Sequence, residues 1–214
     1  MTKWTDIESL HNVRRNMLKY KALVDGVYDL PTVEYRAKVK LHGMNAGVRV
    51  EPDGTVTAQG RNNDLTPEND NHGFAQWVAT KAFRDCAQAT TLVIHGEWCG
   101  RGINSGCAIQ QIDCKLFAVF AAEVRNMLFT EPEDIAGFMG PTTIDIHILP
   151  WYNGIVSIPF GDDDGAQRAA GRINGMVADV EACDPWMKAI FAIDGIGEGL
   201  VFYPILGTLD RDTI

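Results

Sequence analysis

Thr32-Val33-Glu34-Tyr35-Arg36-Ala37-Lys38-Val39-Lys40-Leu41, continuing into His42-Gly43-Met44-Asn45, alternates with a period of two. Val33, Tyr35, Ala37, Val39 and Leu41 point one way, and Glu34, Arg36, Lys38 and Lys40 the other. That pattern predicts a half-buried β-strand. Lys40 closes its polar face, and Gly43 permits an abrupt change of direction. A strand holds a lysine more rigidly than a loop does, which suits covalent catalysis by a positioned amine. Taken alone, such a lysine reads as a solvated surface charge.

Outward from this stretch the chain reads as α+β, with antiparallel sheets flanked by helices. Ile7, Leu10, Val13, Met17 and Leu18 give residues 5–20 helical spacing. Residues 47–51 and 55–59 flank Pro52-Asp53-Gly54, which is hairpin chemistry, and the hairpin delivers Arg61 at its exit. Phe74, Trp77, Val78 and Ala82 predict a second helix, and residues 163–181 a third. Buried strands are expected at 91–94 and 117–121, with Glu97 emerging from the first; a glycine-rich loop, Gly100 to Gly106, separates them. Further strands are expected at 143–149, 155–158, 189–193 and 200–203. Asp162-Asp163-Asp164 fits a helix start, where the helix dipole favours acids.

The 214 residues suffice for one sizeable core. With 46% hydrophobic and 22% charged residues the composition is that of a globular protein, with no apolar span for a membrane. Five cysteines without a C-x-x-C pair point to reduced thiols, a cytoplasmic setting and no zinc site. The net charge of −9 argues against strong independent nucleic-acid binding, because phosphate-gripping surfaces are usually basic.

Five short blocks, in order, resemble the RNA ligase 2 family of covalent nucleotidyltransferases, relatives of DNA ligases and mRNA capping enzymes. Lys40-Leu41-His42-Gly43-Met44-Asn45 resembles the nucleotidyl-lysine motif, K-x-H/D-G-x-N. Gly60-Arg61-Asn62 and His95-Gly96-Glu97-Trp98-Cys99-Gly100 resemble the next two blocks. Lys115 to Phe120 resembles the strand that offers an aromatic ring to the base, and Gly197-Glu198-Gly199-Leu200-Val201 the E-G-hydrophobic-V block. The resemblance implies a single adenylation domain, ATP-grasp-like, over residues 1–214. It implies ATP with Mg2+ or Mn2+ as cofactors, and RNA ends as partners of the full-length protein. Lys40 would take AMP; Leu41, Asn45, Arg61, Glu97, Phe117 and Glu198 would hold the nucleotide; Glu198 would also serve the metal. By this likeness Glu97 meets the ribose, Phe117 stacks on the base, and Phe120, on the opposite face, belongs to the core. His42 stands where many relatives carry Asp and has no catalytic role. No K-x-K follows Glu198, and Arg211 is the sole basic residue there, so the chain is expected to stop before the domain's last strand. A nucleotide-binding module without turnover, or a DNA ligase or capping-type enzyme, is the alternative.

Overall fold

The structure is a computed structural model and describes residues 4, 7–23, 29–70, 72–205 and 209–210; Arg211 lies outside them. In chain order the strands are β1 (Thr32–Lys40), β2 (Met44–Val50), β3 (Val56–Gly60), β4 (Asp64–Leu65), β5 (Leu92–Gly100), β6 (Lys115–Val124), β7 (Met127–Phe129), β8 (Ile146–Ile148), β9 (Tyr152–Pro159), β10 (Gly199–Pro204) and β11 (Leu209–Asp210). The helices are α1 (Leu10–Leu23), α2 (Phe74–Ala79), α3 (Pro132–Met139), α4 (Asp163–Ala182) and α5 (Pro185–Phe191).

Two sheets divide these strands. The smaller runs β10-β1-β9, antiparallel throughout. The larger runs β11-β7-β6-β5-β2-β3-β4, also antiparallel, with β8 joining β6 in parallel. β1 and β2 therefore belong to different sheets, and residues 41–43 carry the chain across. Gly43 is needed there for proximity: a Cβ would lie 2.5 Å from the Trp98 carbonyl oxygen and 2.7 Å from Cys99 Cβ.

Among the described residues, three larger cores follow from the alternation, beside a small cluster of Ala121 and Leu128 with Trp4 and Phe120. One face of the large sheet packs Val48, Ile94, Trp98, Phe117 and Val119 against Phe74, Val78 and Ile135. A second core joins the sheets through Val39, Leu41, Cys99, Leu116, Val180 and Met187. The third seats α1 and α4 on β9 through Val13, Met17, Val156, Ile158 and Ala169.

Two expectations are corrected. Residues 189–193 do not form a strand: α5 occupies most of them. The Asp184 side chain accepts the backbone N–H groups of Trp186 and Met187 at 2.9 and 3.0 Å, and Pro185 sits in the first turn. Asp-Pro is a helix-start signal that outweighs the apolar run behind it. The strand expected at 143–149 shortens to β8.

Candidate active site

A cleft of about 820 Å³ opens where the two sheets meet, lined by Lys38, Lys40, His42, Asn45, Arg61, Glu97, Asn104, Phe120 and Glu198 among others. Lys40 is the last residue of β1 and pairs in register with Gly199, which sets Glu198 beside it. The Lys40 Nζ and the Glu198 carboxylate form an ion pair, with 41% and 25% of the two side chains exposed. His42 Nδ1 lies 3.7 Å from the other Glu198 oxygen, so this carboxylate sits between the lysine and the imidazole. Two ends of different strands, 158 residues apart in sequence, thus build the charged centre.

The large sheet supplies the facing wall. On β5, Ile94 and Trp98 pack into the core, so Glu97 points into the cleft. Asn45 lies directly across from it on β2. Burial and the neighbouring Glu198 push the Glu97 carboxyl up to about 8, against the opposing pull of Lys40 and a backbone hydrogen bond from Gly43. Arg61 stands exposed at the rim just past β3, as the hairpin predicts. Leu41 borders the cleft, but its side chain is 5% exposed and packs in the inter-sheet core.

Phe117 is a correction. Its side chain is fully buried, 5.2 Å from Phe74 and 5.8 Å from Trp77 between ring centroids, and it does not line the cleft. A Cβ at Gly96 would come within 2.5 Å of its ring. The residue at the cleft is Phe120, the one assigned to the core. Alternation sets Phe117 and Phe120 on opposite faces of β6, and it is the Phe117 face that packs into the core while the Phe120 face opens on the cleft. A bulge follows: His95 pairs with Ala121 and Gly96 with Val119, leaving Phe120 without a partner on β5. Phe117 and Val119 face the core before it and Ala122 and Val124 after it, so the parity of β6 reverses past Phe120. Trp4 packs edge-on to Phe120 at 4.8 Å.

Lys38 departs from the solvated strand face the pattern predicts. It is 1% exposed, donates Nζ to the Phe120 carbonyl oxygen at 2.9 Å, and lies 4.8 Å from the Trp151 ring. Burial lowers its amine to about 7, partly offset by Glu131 and Glu133. At Lys38 and Lys40 the polar face of β1 looks into the cleft, while Glu34 near the start of the strand is exposed.

Sequence reasoning passed over Asn104 and Gln110. Asn104 Nδ2 donates to the Gly43 carbonyl, and Gln110 Nε2 to that of His42, each at 2.6 Å. The only signal was the glycine-rich loop itself. Among the described residues no cluster of three or more His, Cys, Asp or Glu side chains is assembled for a metal. Glu198 and Glu97 still fit a hard divalent cation that takes one or two carboxylates and completes its shell with phosphate oxygens and water.

A profile of the RNA ligase family matches residues 33–211, a span that holds every residue of this centre. The chain belongs to the RNA ligase family. No curated protein matches this family member. Among solved structures it is similar to Naegleria gruberi RNA ligase, in a mutant with ATP and Mn: TM-score 0.61, 18% identity, 96% of this chain and 53% of that one. A second mutant of that enzyme, with AMP and Mn, gives 0.61 at 17% identity over 96% and 53%, and the same enzyme with PPi gives 0.61 at 18% over 96% and 53%. At such identity the likeness is one of fold. This RNA ligase family member spans about half the length of those structures.

Proposed function

We propose that this chain is the adenylation domain of an ATP-dependent RNA ligase. The observation that carries the reading is the convergence of Lys40 and Glu198 at the sheet junction, with Asn45, Glu97 and Arg61 on the opposite wall. ATP, AMP, PPi and Mn in the structures of similar fold support a nucleotide and a divalent metal here.

Lys40 attacks only as a neutral amine. Its proton passes to water, since the side chain is 41% exposed. Nζ then bonds to the α-phosphorus of ATP while the bond to the bridging oxygen breaks, and pyrophosphate leaves. Glu198 would hold a divalent metal, which would supply neutralisation of phosphate charge. Arg61 offers a planar fork to phosphate or ribose oxygens, Asn45 and Glu97 hydrogen-bond the ribose side, and Phe120 presents an aromatic face to the base.

In the full protein, AMP would move from Lys40 to a 5′-phosphate RNA end. A 3′-hydroxyl would then attack that phosphate, form the phosphodiester and release AMP. The five cysteines are all free thiols, which supports a reducing, cytoplasmic setting. No helix among the described residues is long and apolar enough to cross a membrane.

Incubation with α-labelled ATP and Mg2+ or Mn2+, followed by denaturing electrophoresis, tests the reading. Acid-labile label on the wild-type chain and none on Lys40→Ala is the expected result. An unlabelled wild-type chain that binds ATP would mark a module without turnover, and label on Lys40→Ala would move the nucleophile elsewhere.

A further inference from the structure

One short 3-10 turn, residues Ala108–Gln111, touches both chain segments that supply the Lys40–Glu198 pair. Gln110 Nε2 donates to the His42 carbonyl oxygen at 2.6 Å, two residues past Lys40. The backbone N–H of Ala108 donates to the Ile196 carbonyl oxygen at 2.8 Å, two residues before Glu198. From the same loop, Asn104 Nδ2 reaches the Gly43 carbonyl oxygen at 2.6 Å. Three donors thus fix the crossing between the sheets and the approach to β10.

The turn is itself rigid. Ile103, Ala108 and Ile109 are at most 1% exposed. Gln110 Oε1 accepts the Cys107 backbone N–H at 2.7 Å, so its amide is held from both sides and its Nε2 is aimed. Asn104 adopts φ 57°, the left-handed region that asparagine tolerates better than most residues. Residues 41–43 make few hydrogen bonds of their own. Among the described residues, the Gly43 N–H reaches the Leu41 carbonyl oxygen and the Glu97 carboxylate. A crossing segment with so little internal pairing takes its conformation from what grips it.

We propose that Gln110 and Asn104 are positioning residues for the nucleotidyl-lysine turn. They act through the His42 and Gly43 carbonyls to hold Lys40 in line with its target, while Ala108 holds Glu198 in the same frame. The inference rests on Lys40 being the nucleophile. Misplacement of a reacting group by about 1 Å costs about a hundredfold in rate even when the substrate still binds.

Gln110→Glu and Asn104→Asp test this. Each keeps size and, at 110, the acceptor for Cys107, but sets an oxygen against a carbonyl in place of a donor. Single-turnover labelling with ATP and Mn2+ should slow about tenfold to a hundredfold, with the nucleotide concentration at half-maximal rate within about twofold of wild type. Arg101→Ala in the same loop, whose Asp113 partner is almost fully exposed, should label at the wild-type rate. If Gln110→Glu lowers the melting temperature, Asn104→Asp decides, because its hydrogen bond is exposed. Wild-type rates in both variants overturn the positioning role and leave the lysine assignment intact. Equal losses in rate and nucleotide affinity overturn it too, marking a contact to the nucleotide. An unlabelled wild-type chain fails the parent reading instead.

Discussion

Lys38 Nζ reaches across the cleft to the carbonyl oxygen of Phe120, 2.9 Å away, tying the strand that carries the nucleophile to the bulge of the facing sheet. The bond joins two features invisible as a pair in the sequence. It also leaves a buried amine next to the site, with consequences for pH.

Lys38 falls to about 7 in the folded chain because burial disfavours its charge. Its unfolded value is near 10.5, so the unfolded chain holds the proton more tightly between about 7 and 10.5. Its stability contribution is fully present above about 10.5 and lost as pH falls through about 7. Wild-type stability minus that of Lys38→Met should therefore rise by a few kcal/mol from pH 7 towards 10. Denaturant melts of both proteins across that range measure it, and a flat difference would place the amine in water.

Glu97 behaves in the opposite sense. Its carboxyl is raised to about 8 by burial and by Glu198, so the folded chain binds the proton more tightly than the unfolded one. Stability from this group is complete below about 4.5 and is lost as pH rises through about 8. The stability of wild type relative to Glu97→Gln should fall steadily over that interval. A difference that rises with pH would mean a salt-bridged carboxylate.

The two phenylalanines of β6 should separate cleanly. Phe117→Ala opens a hole among Phe74, Trp77 and Trp98 and should cost ~3–5 kcal/mol of stability. Phe120→Ala should cost less stability but raise the nucleotide dissociation constant about tenfold to a hundredfold, the equivalent of ~1–3 kcal/mol of lost stacking. Melting curves and nucleotide titrations on both variants check this. Weakened binding in Phe117→Ala at full stability would restore the original assignment.

Glu198→Ala should impair metal-dependent labelling far more than folding. Its carboxylate opens on the cleft, and a partly exposed ion pair contributes only about 0–1 kcal/mol. Labelling at a range of Mn2+ concentrations, with a melting curve beside it, provides the measurement. Parallel loss of both would make Glu198 a structural residue.

Local chemistry was enough for the β1 strand, the Pro52-Asp53-Gly54 hairpin and α4, because alternation and turn residues act over a few positions. The sequence also carries the five blocks in order, and it is their resemblance to the RNA ligase family, not alternation, that singles out Lys40, Asn45, Arg61, Glu97 and Glu198 as the polar set. Which face of a strand meets a cleft is not a local property. Phe117 and Phe120 stand three apart on an apolar strand and so face opposite ways, and only the packing of Phe74 and Trp77 over the Phe117 face left the Phe120 face to the cleft. Lys38 read as a surface charge until the second sheet closed over β1. Asn104 and Gln110 gained their partners because residues 61 and 68 positions away in sequence folded back beside them. Tertiary structure decided these roles, since burial and long-range hydrogen bonds depend on which surfaces meet.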